Sequence, residues 1–280
     1  MKTKIPEQLT ADIPQTKWGK ILSVTPVVMT VVATLLAGLA SSEMTRAQYD
    51  RALGAQLQSK AGDQWAYFQA KKLRGAMQRN SLELVLATTD TRPIETVTLP
   101  TVPAPAPLTF EANLESALHA LEKQVPEAEM RELMKPVSDA TLAAALQAAK
   151  DNAIAFDAAT TTANQKLDEL EKGLPAGDKS TLREFAAAKM RYNAARYETE
   201  ARVNQVIATI YELQVRKTNI SAERHHKRSG KFFFGMLAAQ AAVIVSTFAI
   251  AARQRNFLWS VAAAAGIAAI IFAIYVYLRV

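Results

Sequence analysis

The sequence predicts an all-α membrane protein: three transmembrane helices, a long antiparallel helical stalk of coiled-coil character, and an extra helical section carried by the stalk. Three observations predict it. Residues 21–40, 232–252 and 257–278 are uncharged and apolar, each near the roughly 20 residues that cross about 30 Å of hydrocarbon as a helix. No proline falls between residues 43 and 87 or after residue 175, so each of the first two runs adjoins a long stretch fit for helix. Prolines and glycines concentrate between those stretches, at 93–107 and 173–178, where they stop helices and favour extended chain or turns.

Taken in order, residues 1–20 form a polar tail with Lys2, Lys4, Lys17, Lys20 and Trp18. A basic start before an apolar run also fits a cleavable leader, but the long run of 21–40 and the extended tail before it favour a retained first span. Residues 41–88 read as an outgoing stalk helix of about 65 Å at 1.5 Å per residue, with Gly54, Gly62 and Gly75 as weak points. Residues 89–109 hold five prolines and read as a semi-rigid linker.

Residues 110–178 read as an acidic helical insertion at the far end of the stalk, with acids outnumbering bases by about eight from residue 90 onward. Leu114, Leu118 and Leu121 make an apolar stripe, and Ser138 or Asp139 caps an alanine-rich helix running to about Lys172. Residues 179–231 read as the returning stalk helix, opened by Ser180. On it Val203, Val206, Ile210, Leu213 and Ile220 follow three-and-four spacing, which reads as one coiled-coil seam, not a fully buried helix. The second span follows directly, then a short loop of Arg253–Asn256 and the third span. With this layout the insertion is expected to be dispensable: removing residues 88–179 should leave an intact stalk.

Composition narrows the function classes. The chain has no cysteine, which removes disulfides, thiolate nucleophiles and cysteine metal sites. The net charge of +7 comes largely from the tail and the hairpin end, so no concentrated basic face suggests nucleic acid as a partner. The spans hold no ionisable residue of the kind that marks transport pathways. Small residues at four-residue spacing (Ala33, Ala37 and Ser41; Ala238, Ala242 and Ser246; Ala262 and Gly266) predict close helix packing, and Gln240 is expected to bond a neighbouring helix.

Two clusters are the candidate sites. Residues 61–74, AGDQWAYFQAKKLR, set three aromatic rings among polar groups. Asp63, Tyr67 and Lys71 fall at i, i+4 and i+8, predicting an Asp–Lys or Tyr-bridged polar face, while Trp65, Phe68 and Lys72 fall on another face suited to the returning helix. Asp63, Gln64, Trp65, Tyr67, Phe68, Gln69 and Lys71 are therefore the candidate interaction patch, for stalk packing, a second copy or an unknown partner protein. Arg224, Lys227, Arg228 and Lys231 form a basic collar before the second span and are the candidate lipid head-group contacts, each worth about 1 kcal/mol near anionic lipid. His225 and His226 are adjacent, about 100° apart on a helix, and cannot share a metal.

The pattern of residues 61–74 after a first span, AERHHKR before the second, Gln240 and Ser246 within it, and RQRNFLW with Gly266 in the third resembles the bacterial membrane family known as domain of unknown function 4337. The resemblance covers about residues 18–87 and 180–280, with the proline-rich and acidic section as an expansion. It implies a membrane location and a helical extramembrane part, and it implies no activity. The expected function is that of a membrane-anchored interaction or scaffold protein, neither an enzyme nor dependent on a cofactor. The alternative is a membrane sensor whose helical bundle binds a small ligand. The expected location is the bacterial plasma membrane. The basic tail and the Arg253–Asn256 loop lean to the cytoplasmic side.

Overall fold

The computed structural model describes residues 17–90, 99–175, 177–251 and 255–279, and among them it is helical without a strand. The helices are α1 (Lys17–Thr88), α2 (Ala112–Glu122), α3 (Glu127–Met134), α4 (Asp139–Lys172), α5 (Lys179–Ala251) and α6 (Arg255–Arg279). Residues 1–16 of the expected tail, 91–98 of the linker and 252–254 of the hairpin loop lie outside the described residues. Lys17–Lys20 are already helical, and α6 begins at Arg255, inside the expected loop. Three helical stretches are long and apolar enough to cross a membrane. The chain divides into two compact units, one of residues up to Ala52 and from Asn219 onward, the other of Leu53–Thr218.

In the first unit the start of α1, the end of α5 and α6 pack through small side chains. Ala33, Leu36, Ala40, Phe232, Ala239, Ala269 and Val276 form its buried cluster. Gly266 lets α6 approach α1 so closely that a Cβ there would lie 2.4 Å from the Met29 sulfur. Polar contacts are few: Trp259 Nε1 donates to Thr25 Oγ1 at 3.2 Å, and the buried Ser229 hydroxyl donates to the Ala40 carbonyl at 2.7 Å. The large apolar side chains point the other way: Val27, Val31, Leu35, Phe234, Ile244, Phe248, Ile267 and Ile271 are all exposed. Alanines predominate inside, around Leu36, Phe232 and Val276, and large apolar groups line the outside, the distribution of helices packed in lipid, where close backbone approach drives association.

Gln240 departs from expectation. Among the described residues it bonds no neighbouring helix and instead lines an open groove with Thr30, Thr34 and Ala37. The threonine hydroxyls satisfy themselves within α1, Thr30 on the Pro26 carbonyl and Thr34 on the Thr30 carbonyl.

In the second unit α5 is central. Ala201, Val203, Ile207, Ala208, Thr209, Ile210, Tyr211, Leu213 and Val215 are all buried. At 100° per residue they point around the full circumference. The reading of this stretch as a single coiled-coil seam is thus overturned: the helix is surrounded. The residues of α1 cover one side, running antiparallel, with Lys71 meeting Glu200 and Arg79 meeting Glu198. A second side is covered by α4, also antiparallel: Asp168 and Glu171 meet Lys189, Lys150 lies over the Tyr211 ring, and Asp139 meets Lys217. The α2–α3 pair covers the end near Arg216, where Glu127 pairs with it at 2.9 Å.

The proline-rich segment turns out to be a strap. From Leu99 it runs back along α4 without helix. Leu99 and Val102 pack on the cluster of Ala163, Leu167, Phe185 and Tyr192. The Asn152 amide clasps Ala106 from both sides, accepting from its N–H at 3.0 Å and donating to its carbonyl at 2.9 Å. The strap delivers the chain to α2 alongside Thr141, which donates to Glu111. Residues 110–178 therefore pack along α5 and do not stand at the far end of a bare stalk. An α5 with buried residues on every side needs cover on more than one side, and this section supplies it.

The caps fit local chemistry. Ser138 Oγ accepts from the Thr141 N–H at 2.9 Å at the start of α4. At the start of α5 the cap is Asp178, one residue before the helix, and not Ser180. Its carboxylate accepts from the N–H groups of Ser180 and Thr181 and from both hydroxyls. Led by the Thr181 and Ser180 side chains, these bonds hold its pKa down at about 2. Gln124, after α2, takes the left-handed conformation (φ 53°), and the N–H groups of Gln124 and Val125 close on the Leu121 and Ala120 carbonyls. Pro126 then opens α3.

Candidate functional site

The aromatic stretch lies in the second unit. Along α1, Ala61, Gly75 and Leu82 are buried, while Gln64, Phe68, Lys71, Gln78 and Val85 are half-buried. Their spacing of three and four marks one face turned into the unit. At Gly75 α1 packs directly on α5: a Cβ there would sit in ordinary contact, 3.5 Å from the Ala194 carbonyl and the Tyr197 Cβ.

Lys71 is the centre of the band. Its ammonium lies 2.5 Å from Glu200 Oε2, with only 15% and 12% of the two side chains exposed. On the same carboxylate, Arg196 Nε stands 3.6 Å from Oε1, one helical turn away. These contacts are Coulombic and poorly directed, since neither Glu200 Oε2 nor Arg196 Nε gains a hydrogen bond from them. The cations also sit on rings: Lys71 lies 5.1 Å from the Tyr67 ring and 5.5 Å from that of Tyr197, and Arg196 lies 4.5 Å from Tyr197. One carboxylate, two cations and two rings thus make a closed electrostatic knot between α1 and α5. Beside it the buried Tyr192 hydroxyl has no partner. Burial pushes its pKa up, with the Arg196 charge opposing and the Glu200 charge reinforcing.

The expected Asp63–Lys71 pairing is not formed. Asp63 is exposed, and Lys71 takes its carboxylate from the facing helix. A pair across two packed helices is less hydrated than one along a solvent-facing edge, so its attraction is screened less. The other predicted face does form. Trp65 and Phe68 meet edge to face, centroids 5.4 Å apart, and Lys72 lies 5.7 Å from the Phe68 ring. Tyr67 and Gln69 are exposed, while Gln64 is half-buried with its carbonyl oxygen unbonded.

The band borders two clefts. Trp65 lines one of about 670 Å³ with Leu121, Val125, Thr209 and Arg216. Tyr67 and Lys71 line a smaller one of about 290 Å³ with Phe156, Asp157, Glu200 and Asn204. Further along, Glu198 accepts from Arg79 at 2.8 Å and from Arg202 at 3.0 Å. The Arg202 bond, with the Arg79 charge behind it, holds this carboxyl below its usual range. Lys189 is held above its usual range, first by its bond to Glu171 and then by that to Asp168.

The basic collar belongs to the first unit and does not act as one set. Arg224 and Lys227 are exposed, Lys227 pairing along the helix with Glu223 at 2.6 Å. Arg228 turns toward Glu43 (3.9 Å), and Lys231 reaches the Tyr275 ring at 6.0 Å. Glu43 also meets His225 Nδ1 at 2.5 Å and Arg46 at 3.9 Å. Sequence reasoning missed Glu43 and Glu200. The i, i+4 spacing of Arg196 and Glu200 was a signal for the second; nothing local pointed to the first.

The family model described as "Domain of unknown function (DUF4337)" matches residues 18–104. That is the family which residues 61–74 resemble, and the match takes in the first span, the aromatic band and the start of the strap. The motifs around the second and third spans lie outside it. No curated protein and no solved structure matches the chain.

Proposed function

We propose that this is a multi-pass protein of the bacterial plasma membrane that acts as a helical interaction or scaffold protein, binding the lipid bilayer through three spans and a second copy or another protein through its extramembrane helices. The reading assigns it no enzymatic activity, no cofactor and no nucleic acid. The observation that carries it is the contrast inside the first unit, small side chains within and large apolar ones without, on helices long enough to cross a bilayer. The second unit supports it as well: the strongest cations and carboxylates of the aromatic band hold one another, which fits a rigid binding module. Tail and hairpin loop face the cytoplasm in this reading, with the exposed Arg224 and Lys227 placed to meet head groups on the opposite side.

Alkaline extraction of membranes checks the anchor: the chain should stay with the bilayer, and its release would sink the reading. Reporter fusions at Thr101 and after Val280 should both report the non-cytoplasmic side, and a split result would overturn the three-span topology. The sensor alternative draws on the cleft beside Trp65, whose volume suits a small ligand. A melting screen of the detergent-solubilised full chain against metabolite pools separates the two, since a scaffold shows no ligand-dependent shift.

A further inference from the structure

The aromatic stretch lies inside α1, which carries a second seam on the side away from α5. Ala66, Ala70, Leu73, Met77, Asn80 and Leu84 recur at intervals of four and three, and all six are exposed. Leu73, Met77 and Leu84 are 63%, 59% and 65% exposed. Two residues separate this seam from the inward face of Phe68, Gly75 and Leu82, about 200° around the helix. No strap, helix or charged side chain covers it among the described residues, although α4 is covered along its length by the Leu99–Phe110 segment.

The order of polarity is inverted between the two faces. Gln64, Lys71 and Gln78 are turned inward, while three large apolar side chains at heptad spacing face water. The six positions follow the alternating three-and-four spacing of a coiled-coil seam, and Leu73, Met77 and Leu84 place large apolar side chains on that one exposed stripe.

We propose that this seam is where a second copy of the same chain docks, α1 against α1, parallel and in register. The inference rests on the membrane-anchored reading, and three features choose this occupant. The seam carries no charge, and in a parallel pair its flanking positions set Gln69 against Arg74 and Glu83 against Thr88, with no like charges opposed. Asn80 supplies one polar layer, at a d position by this spacing, and an amide is both donor and acceptor, so two copies in register set like groups that can bond each other. Two chains tethered in one bilayer by the same preceding span also meet with the same N-to-C sense, which an antiparallel pair would not allow.

The chain has no cysteine, so single cysteines report the seam directly. Leu73→Cys, Met77→Cys, Asn80→Cys and Leu84→Cys, each in the full chain in native membrane vesicles, are oxidised and compared with Lys72→Cys and Leu86→Cys off the seam. Crosslinked dimer should form at all four seam positions, about fivefold or more above the two controls, as heptad packing brings like positions together. A flat profile, no dimer, or dimer only at one position near an antiparallel crossing overturns the proposal. Alkaline extraction of the same vesicles reads the anchor separately: a chain stripped from the bilayer but crosslinked along the seam overturns the membrane reading and keeps the seam, and the converse overturns the seam alone.

Discussion

The two faces of α1 between Ala61 and Thr88 obey different rules. The inward face is mixed, with Gln64, Lys71 and Gln78 held beside Phe68 and Leu82, and Lys71 on it meets Glu200 of α5. The outward face is simpler and more apolar, and its large side chains stand exposed. Burial alone would sort these residues the other way. The inward face is matched to one partner, α5, whose Glu200 and Tyr197 meet Lys71; the outward face has the repeat of a surface made to meet its own kind.

The largest expected effect breaks the inward face. Glu200→Ala leaves Lys71 and Arg196 as adjacent, mostly buried cations, and losing one partner of such a pair costs about 3 kcal/mol. Thermal melting of the detergent-solubilised protein should show that loss, and the double change Glu200→Ala with Lys71→Met should recover part of it. An unchanged melt would mean that the knot contributes nothing to the fold.

Next comes the strap, which gives α4 the cover that the outward face of α1 lacks. Asn152→Ala removes both bonds to Ala106, worth about 1–2 kcal/mol together because one is left as a partly shielded backbone pair. Amide exchange should accelerate at Ala106 and its neighbours before it does in α5. Equal exchange in the variant and the parent chain would show that the strap is held by Leu99 and Val102 alone.

Much of this was legible beforehand. The three apolar runs, the helix ends near Thr88 and Lys172 and the Ser138 cap follow from composition and local chemistry, and residues 61–74 pointed to the family. What was not legible is long-range. The three-and-four pattern of Val203–Ile220 hid a helix apolar all round, because Ala201, Ala208 and Tyr211 fill the intervening positions without looking like a second seam. Prolines at 93–107 signal extended chain equally for a free linker and for a strap, and only Asn152, 46 residues from Ala106, decides between them. Within the aromatic band the sequence put Trp65 and Phe68 on a half-buried face, but Lys72, placed with them, is exposed and Lys71 turns inward instead. Sequence reasoning paired Lys71 with the wrong carboxylate, because Glu200 is 129 positions away.

A smaller effect tests whether α1 is a continuous rigid element between its faces. Gly62 has open space where a Cβ would stand, so Gly62→Ala should stabilise by about 0.4–1 kcal/mol through lost freedom in the unfolded chain. A raised melting temperature with unchanged crosslinking at Met77→Cys fits a helix whose seam is already formed.

The smallest effect on the fold is the sharpest on the comparison. Leu84→Asp places a carboxylate on the outward face, where the side chain is 65% exposed. A surface change of this kind should move the stability of the single chain by less than about 0.5 kcal/mol. In a parallel pair the same substitution sets two carboxylates against each other inside an apolar layer, so dimer crosslinking through Met77→Cys and Leu73→Cys should disappear while the melt of the solubilised monomer holds. If instead the monomer melts early, Leu84 belongs to the core of its own unit and the outward face is not free. If crosslinking persists with the aspartate in place, copies meet elsewhere on the chain, and the heptad on α1 has some cause other than self-association.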